Sequence, residues 1–306
     1  MALGTGVAVG HVAVRGRAPA PRWSSLAPWV RLARPADNSF AAIGTLIGAG
    51  LAGVSSPVRV VLVVALSNAL LSAASMVFND WHDVAEDAVN RPDRPIPSGA
   101  VRRPSALMAS ILLFGAGIVA AASGGSAFGL AAVGITTASI IYTWRLKSIP
   151  LLGNGIVGLL SAYPLWCWLL VTRVDGLVYI GAAAAFFIGG TGREVVRTAA
   201  DTAGDAALGI RTVATRYGGT RAVRAGLGLI LAGLLCAWLS SAAAGLGYLT
   251  ALAITTAALL ATAVASLGSA SAPHTSRQIT RVARAMTAVL AGGAVWDLIA
   301  SSWLRP

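Results

Sequence analysis

Between Asn79 and Gly99 the chain reads Asn-Asp-Trp-His-Asp-Val-Ala-Glu-Asp-Ala-Val-Asn-Arg-Pro-Asp-Arg-Pro-Ile-Pro-Ser-Gly. Five carboxylates and two arginines are thus packed into a sequence otherwise dominated by Ala, Gly, Leu and Val. Asn79, Asp83 and Asp87 are spaced by four residues, and so are Asp201 and Asp205. On a helix each such step rises about 6 Å and turns about 40° past a full circle, so each set lines one face. Carboxylates stacked this closely raise one another's pKa unless they share a cation. Mg²⁺ suits such a site, because it takes hard oxygen ligands, typically one or two carboxylates with water and substrate phosphate oxygens. The substrate this chemistry implies is a diphosphate, with Arg91, Arg94, Arg193 and Arg197 available to neutralise further charge.

The elements that must hold these residues are membrane helices. Of 306 residues, 56% are hydrophobic and only 11% charged, and the mean hydropathy is +0.75. A soluble domain carries about 25% charged residues, so the composition belongs to an all-α, polytopic membrane protein. Apolar runs long enough to span a bilayer predict nine transmembrane helices, at 37–54, 57–78, 104–123, 126–144, 151–172, 175–195, 221–242, 245–267 and 283–303. They form one domain over 31–306, a bundle around a central apolar cavity. Residues 1–30, with Arg15, Arg17 and Arg22, read as a basic, disordered cytoplasmic tail.

Charge fixes the expected orientation. With the N-terminus in the cytoplasm, only Arg59, Arg173 and Arg305 fall outside, and the other 20 of the 23 basic residues lie inside. The same topology puts both acidic clusters on the cytoplasmic face of a cell-membrane protein. The formal charge of +12 does not imply nucleic acid, since the arginines sit in short clusters between apolar runs. Cys167 and Cys236 lie within apolar runs at no metal or disulfide spacing, and Trp144, Trp166, Trp168 and Trp303 fit interfacial belts. No obligate protein partner is evident.

Asn79-Asp80-x-x-Asp83-x-x-x-Asp87, followed by Asn90-Arg91-Pro92-Asp93-Arg94-Pro95-Ile96-Pro97-Ser98-Gly99, resembles the first signature of UbiA-type membrane prenyltransferases. Asp201-x-x-x-Asp205, preceded by Arg193-Glu194-Val195-Val196-Arg197, resembles their second. Arg34-Pro35 and the Tyr142 to Lys147 segment with Asn154 also sit where that family has related residues. The resemblance covers roughly 30 to 220. It implies a helical bundle in which Asn79, Asp83, Asp87, Asp201 and Asp205 bind Mg²⁺, with the four aspartates catalytic, and Lys147, Arg94 and Arg193 contact an isoprenoid diphosphate. Ionisation then yields an allylic cation that a second small-molecule or lipid acceptor captures. Thr198 and Ala200 depart from the family's pattern, leaving the second signature one or two acids poorer. The terpene-cyclase reading, in which the cation closes on itself, is the alternative.

Asn38, Tyr142, Asn154 and Asp297 are the candidate cavity or acceptor residues, although a hydrogen bond to another helix is the simpler role for Asp297. Asp80 and Glu86 point off the 79/83/87 face. Arg281 and Arg284 read most simply as positive-inside residues. Because the Ala/Gly-rich helices offer few polar groups for a phosphorylated headgroup, an aromatic or other uncharged acceptor is slightly favoured over a glycerol-phosphate lipid.

Overall fold

The computed structural model describes residues 26–303 apart from 53, 55–56, 172–176, 208, 242–244 and 268–270. Residues 1–25, most of the expected tail, lie outside this set. Apolar runs cut by short Gly, Ser and Pro joins fold into helices, and no strand occurs among the described residues. A short α1 (Ala27–Ala33) leads into α2 (Pro35–Leu51) and α3 (Val58–His82). The first acidic segment continues as α4 (Val84–Asn90), and α5 (Arg103–Gly124) and α6 (Ser126–Ile141) follow. A π-helical turn, Tyr142–Leu146, ends α6 before α7 (Leu152–Trp166). Then come α8 (Leu177–Thr198), the short α9 (Thr202–Ala207) and α10 (Val213–Tyr217), α11 (Gly219–Leu239), α12 (Leu246–Leu267) and α13 (Ala272–Trp303).

Among the described residues six helical segments are long and apolar enough to cross a membrane: Val58–His82, Arg103–Gly124, Ser126–Leu146, Leu152–Leu170, Gly219–Leu239 and Leu246–Ser266. The other three expected intervals are occupied by α2, α8 and α13. Helix α2 is only 17 residues long, and α8 and α13 carry Glu194 and five arginines (Arg193, Arg197, Arg277, Arg281 and Arg284), which dilutes their apolar character. Helix α13 begins at Ala272, eleven residues before the expected start at 283. The segment 272–282 contains Arg277 and Arg281, which an apolar-run criterion discards although they extend the helix.

Two large cores hold the bundle. Leu71, Phe78, Phe114, Phe128 and Trp168 pack the α2–α7 half, and Val195, Val196, Ile230, Leu252 and Ile279 pack the α8–α13 half. Trp168 is fully buried, donates its Nε1–H to the Thr45 carbonyl at 2.9 Å and packs edge-on to Phe128. The interfacial role expected for it gives way to core packing, because a satisfied indole N–H carries no penalty for burial. Glycines set the α8–α11 contact. A Cβ on Gly226 would lie 2.6 Å from the Gly192 carbonyl oxygen, and one on Gly233 would lie 2.9 Å from that of Ala185. Small residues let the two backbones touch, as in other membrane helix pairs.

Candidate active site

Both acidic segments meet at one end of the bundle. Helix α3 stops at Asp83 (φ −85°, ψ 17°), so Asn79, Asp83 and Asp87 do not share one uninterrupted helix. The i+4 backbone bonds nonetheless continue across the break, Asp83 N–H to the Asn79 carbonyl and Asp87 N–H to the Asp83 carbonyl, both at 2.8 Å. Asp205 N–H bonds the Asp201 carbonyl in the same way at 3.0 Å. The two segments are then tied together. Arg91 donates to both oxygens of Asp201 at 2.7–2.8 Å, and a Cβ on Gly204 would collide with the Asn90 side chain.

The loop carrying Arg91 and Arg94 is fixed from beneath. Ile96 and Val101 are buried against Leu32 of α1 and Val77 of α3. Val101 N–H closes on the Pro95 carbonyl at 2.8 Å, and Gly99 takes the positive φ (76°) this turn needs. So anchored, Arg94 bridges Asp87 at 2.6 Å and Asp80 at 2.9 Å. Arg34 reaches both Asp80 oxygens at 2.8 Å from the α1–α2 joint, where it holds a left-handed backbone (φ 50°). A non-glycine residue there costs energy and marks a constrained position. Asp80 and Asp87 are each 4% exposed, and carboxylates so far out of water stay ionised only when paired. Burial still pushes the Asp87 carboxyl above its ordinary value, against the pull of Arg94.

On the other side, the π-helical turn directs Lys147 between Asp83 at 2.6 Å and Glu86 at 2.5 Å. Burial alone would lower its pKa, but the two carboxylates outweigh that and raise it. Thr143, from the same turn, donates to the Asn79 side chain. Such π-turns inside helices often mark functional sites. Tyr142 is buried and feels the charges of Glu194 and Arg197. Arg197 pairs with the nearly buried Glu194 at 3.0 Å, one turn apart on α8. Arg193 lies in the fields of Glu194, Asp37 and Arg284, with no ion pair of its own among the described residues.

Two of the candidate cavity residues act locally. Asn38 bonds the Ala33 carbonyl and accepts from Ser72 at 2.9 Å, locking α1, α2 and α3 together. Asn154 accepts from the Leu151 amide at 3.2 Å and caps α7 just beyond Lys147. Asp297 lies elsewhere: it accepts from the Gly247 and Tyr248 amides at 2.8 Å each, capping the α12 N-terminus. It is thirteen residues beyond Arg284, about 20 Å along α13.

Among the described residues no three acidic or imidazole side chains converge on a metal-binding point. The donor set still fits Mg²⁺ chemically, being hard oxygen throughout. Asp205 has no ion pair among the described residues, and burial, Glu86 and Asp201 together push its carboxyl up to about 7, against the opposing pull of Lys147 and Thr212. The ammonium between Asp83 and Glu86 marks where positive charge is wanted.

A cleft of about 1120 Å³, counting its open mouth, lies beside these pairs. Eight arginines line it (Arg31, Arg34, Arg91, Arg94, Arg197, Arg277, Arg281 and Arg284), with Asp37 and Asp80 the acidic lining residues. Along the same α2 and α13, Phe40, Ile43, Ile47, Thr287 and Leu290 line an apolar cavity. Asp80, which holds two cleft arginines, and the α13 arginines were not legible as site residues from their positions off the acidic face. The i, i+4, i+7 spacing of Arg277, Arg281 and Arg284 is the signal that would have found the latter.

Comparison with known proteins agrees with this geometry. Residues 41–298 match the UbiA prenyltransferase family. The chain belongs to that family. A digeranylgeranylglyceryl phosphate synthase of Thermococcus kodakarensis is 34% identical over 233 residues, covering 74% of this chain and 82% of the relative. The synthase of the same name from Methanopyrus kandleri is 35% identical over 201 residues, 64% of this chain and 72% of the relative. Among solved structures, a UbiA homologue from Aeropyrum pernix K1 superposes with a TM-score of 0.74 at 18% identity, over 86% of this chain and 98% of that one. A homologue from Archaeoglobus fulgidus bound to DMAPP and Mg²⁺ gives 0.64 at 17% identity, over 86% and 99%. The helical architecture is therefore that of UbiA prenyltransferases, and the chain is a prenyl-transferring membrane enzyme.

Proposed function

We infer that this UbiA-family protein transfers a prenyl group from an isoprenoid diphosphate to a glycerol-phosphate-type lipid. The observation that carries this reading is the juxtaposition of two paired acidic segments and an arginine-lined cleft at one end of the bundle, with an apolar cavity farther along α2 and α13. Asn79, Asp83, Asp87, Asp201 and Asp205 would hold Mg²⁺, which supplies charge to stabilise the departing diphosphate. Lys147, Arg91, Arg94, Arg193 and Arg197 neutralise the remaining charge as the C1–O bond breaks and its electron pair leaves with the diphosphate. The acceptor hydroxyl oxygen bonds the allylic carbon, and its proton passes to the departed diphosphate or to water. The apolar cavity along α2 and α13 shields the cation from water.

The slight preference for an uncharged acceptor yields to the eight arginines, which only the folded chain assembles. The names of the relatives point the same way. The nine helices cross the bilayer with the N-terminus and the site on the cytoplasmic side, a reading supported by the placement of basic residues. The test incubates protein in lipid nanodiscs with Mg²⁺, C10–C20 prenyl diphosphates and a monoprenyl glyceryl phosphate, with product mass spectrometry. A prenyl ether product is expected. Prenylation of only aromatic acceptors, or a cyclised terpene formed without acceptor, would overturn this reading.

A further inference from the structure

The arginines of the cleft are not equivalent. Arg34, Arg91, Arg94 and Arg197 each hold a carboxylate within 3.0 Å. Among the described residues Arg277 and Arg281 have no ion-pair or hydrogen-bond partner, although both line the cleft. Arg284, on the same face, has one exposed contact with Asp37 at 3.2 Å. Stacking like charges at i, i+4 and i+7 destabilises a helix unless an anion relieves it. Between them sits Thr280, also lining the cleft, whose Oγ1 is buried without a hydrogen-bond partner. This face is held over the site by Ser276, which donates to the Val196 carbonyl of α8 at 2.6 Å.

The next turns of α13 carry Thr287 and Leu290 into the apolar cavity. From Arg284 to Leu290 is about 9 Å along the helix. A ligand with its anion on Arg277 and Arg281 would have the apolar face of Thr287 and Leu290 for its hydrocarbon chain to follow. That amphiphile has the shape of the acceptor, because the donor's diphosphate belongs with Lys147 and the acidic segments.

We propose that the Arg277, Thr280, Arg281 and Arg284 face of α13 is a second phosphate subsite, which binds the phosphomonoester headgroup of the acceptor lipid. The inference rests on the proposed function and names the residues that select a phosphorylated acceptor. Positive-inside arginines that merely touch bilayer headgroups would face outward; these face the cleft.

The test uses the Arg277→Gln/Arg281→Gln double variant in nanodiscs, with Arg277→Lys/Arg281→Lys as the charge-preserving control. Equilibrium binding of a monoprenyl glyceryl phosphate should weaken about tenfold or more in the Gln variant, as loss of charge-assisted hydrogen bonds does. The Lys control should recover most of it. Binding of the unphosphorylated monoprenyl glycerol should be equal in all three proteins. In turnover, the acceptor KM should rise while the KM for prenyl diphosphate stays within about twofold. Equal acceptor binding by wild type and the Gln variant, or a parallel loss for the prenyl diphosphate, would overturn the subsite. So would a defect that appears in phosphatidylglycerol discs and vanishes in phosphatidylcholine, since the face would then read bilayer lipid. Wild-type protein that binds the acceptor in this phosphate-dependent way but never prenylates it would refute the proposed reaction and leave the subsite standing.

Discussion

Most acidic residues of the site are defined by the cation they face. Asp83 and Glu86 share Lys147, whereas Asp80 and Asp87 share Arg94. Removing Asp83 or Asp87 thus disturbs both the proposed metal ligand set and a basic partner. Asp83→Ala and Asp201→Ala should each lower kcat by about 10²-fold or more, the scale of a lost electrostatic stabiliser, measured by diphosphate release under saturating substrate. Near-normal turnover in both would remove their role. Asp205 adds a pH signature. Its carboxyl is raised to about 7, so it is protonated below that pH and ionised above it. Mg²⁺ competes with that proton, and apparent Mg²⁺ affinity should therefore rise roughly tenfold between pH 6 and pH 8. A flat profile, or the same slope in Asp205→Asn, would contradict the assignment. Asp80 shows what spacing alone cannot tell. It sits off the 79/83/87 face, yet its burial between Arg34 and Arg94 makes it the anchor of two cleft arginines. The partner comes from 46 residues away, and no local pattern announces it.

At the scale of elements, long apolar runs were legible because a helix that crosses a bilayer must satisfy its own backbone and present apolar side chains all round. The breaks were not. The stop at Asp83, the π-turn at Tyr142–Leu146 and the early start of α13 coincide with contacts between distant segments, Lys147 with Asp83 at the first two and Ser276 with α8 at the third. Close helix contact was equally hidden, since a glycine reads the same in a loose or a tight pair. Gly226 gives this a direct check. Gly226→Val would drive its Cβ against the Gly192 carbonyl and the Val196 backbone, at 2.6–2.8 Å. Overpacking of this kind costs about 1–3 kcal/mol, so a lower thermal midpoint in detergent is expected, together with reduced turnover as the end of α8 moves. An unchanged midpoint would show that α8 and α11 are not held backbone to backbone. Gly228, with open space at its Cβ, is the control position.

Over the whole molecule, charge and apolarity are separated along the bundle axis. Arg91–Asp201, Arg94–Asp87 and Lys147–Asp83 gather at one end, and Asp297 caps α12 toward the other. Basic residues concentrated at the site's end are the ground for proposing that this end faces the cytoplasm. A cysteine at the exposed Ser98 should accordingly react with a membrane-impermeant maleimide in inverted vesicles and stay unlabelled in right-side-out cells. The reverse pattern would invert the topology. Counting diphosphate decides whether these paired acidic segments drive prenyl transfer to a phosphorylated lipid. In nanodiscs with Mg²⁺ and a prenyl diphosphate, release should match prenyl ether formed one to one and fall to near background when either Mg²⁺ or the monoprenyl glyceryl phosphate is withheld. Full release of diphosphate without that acceptor would contradict the account.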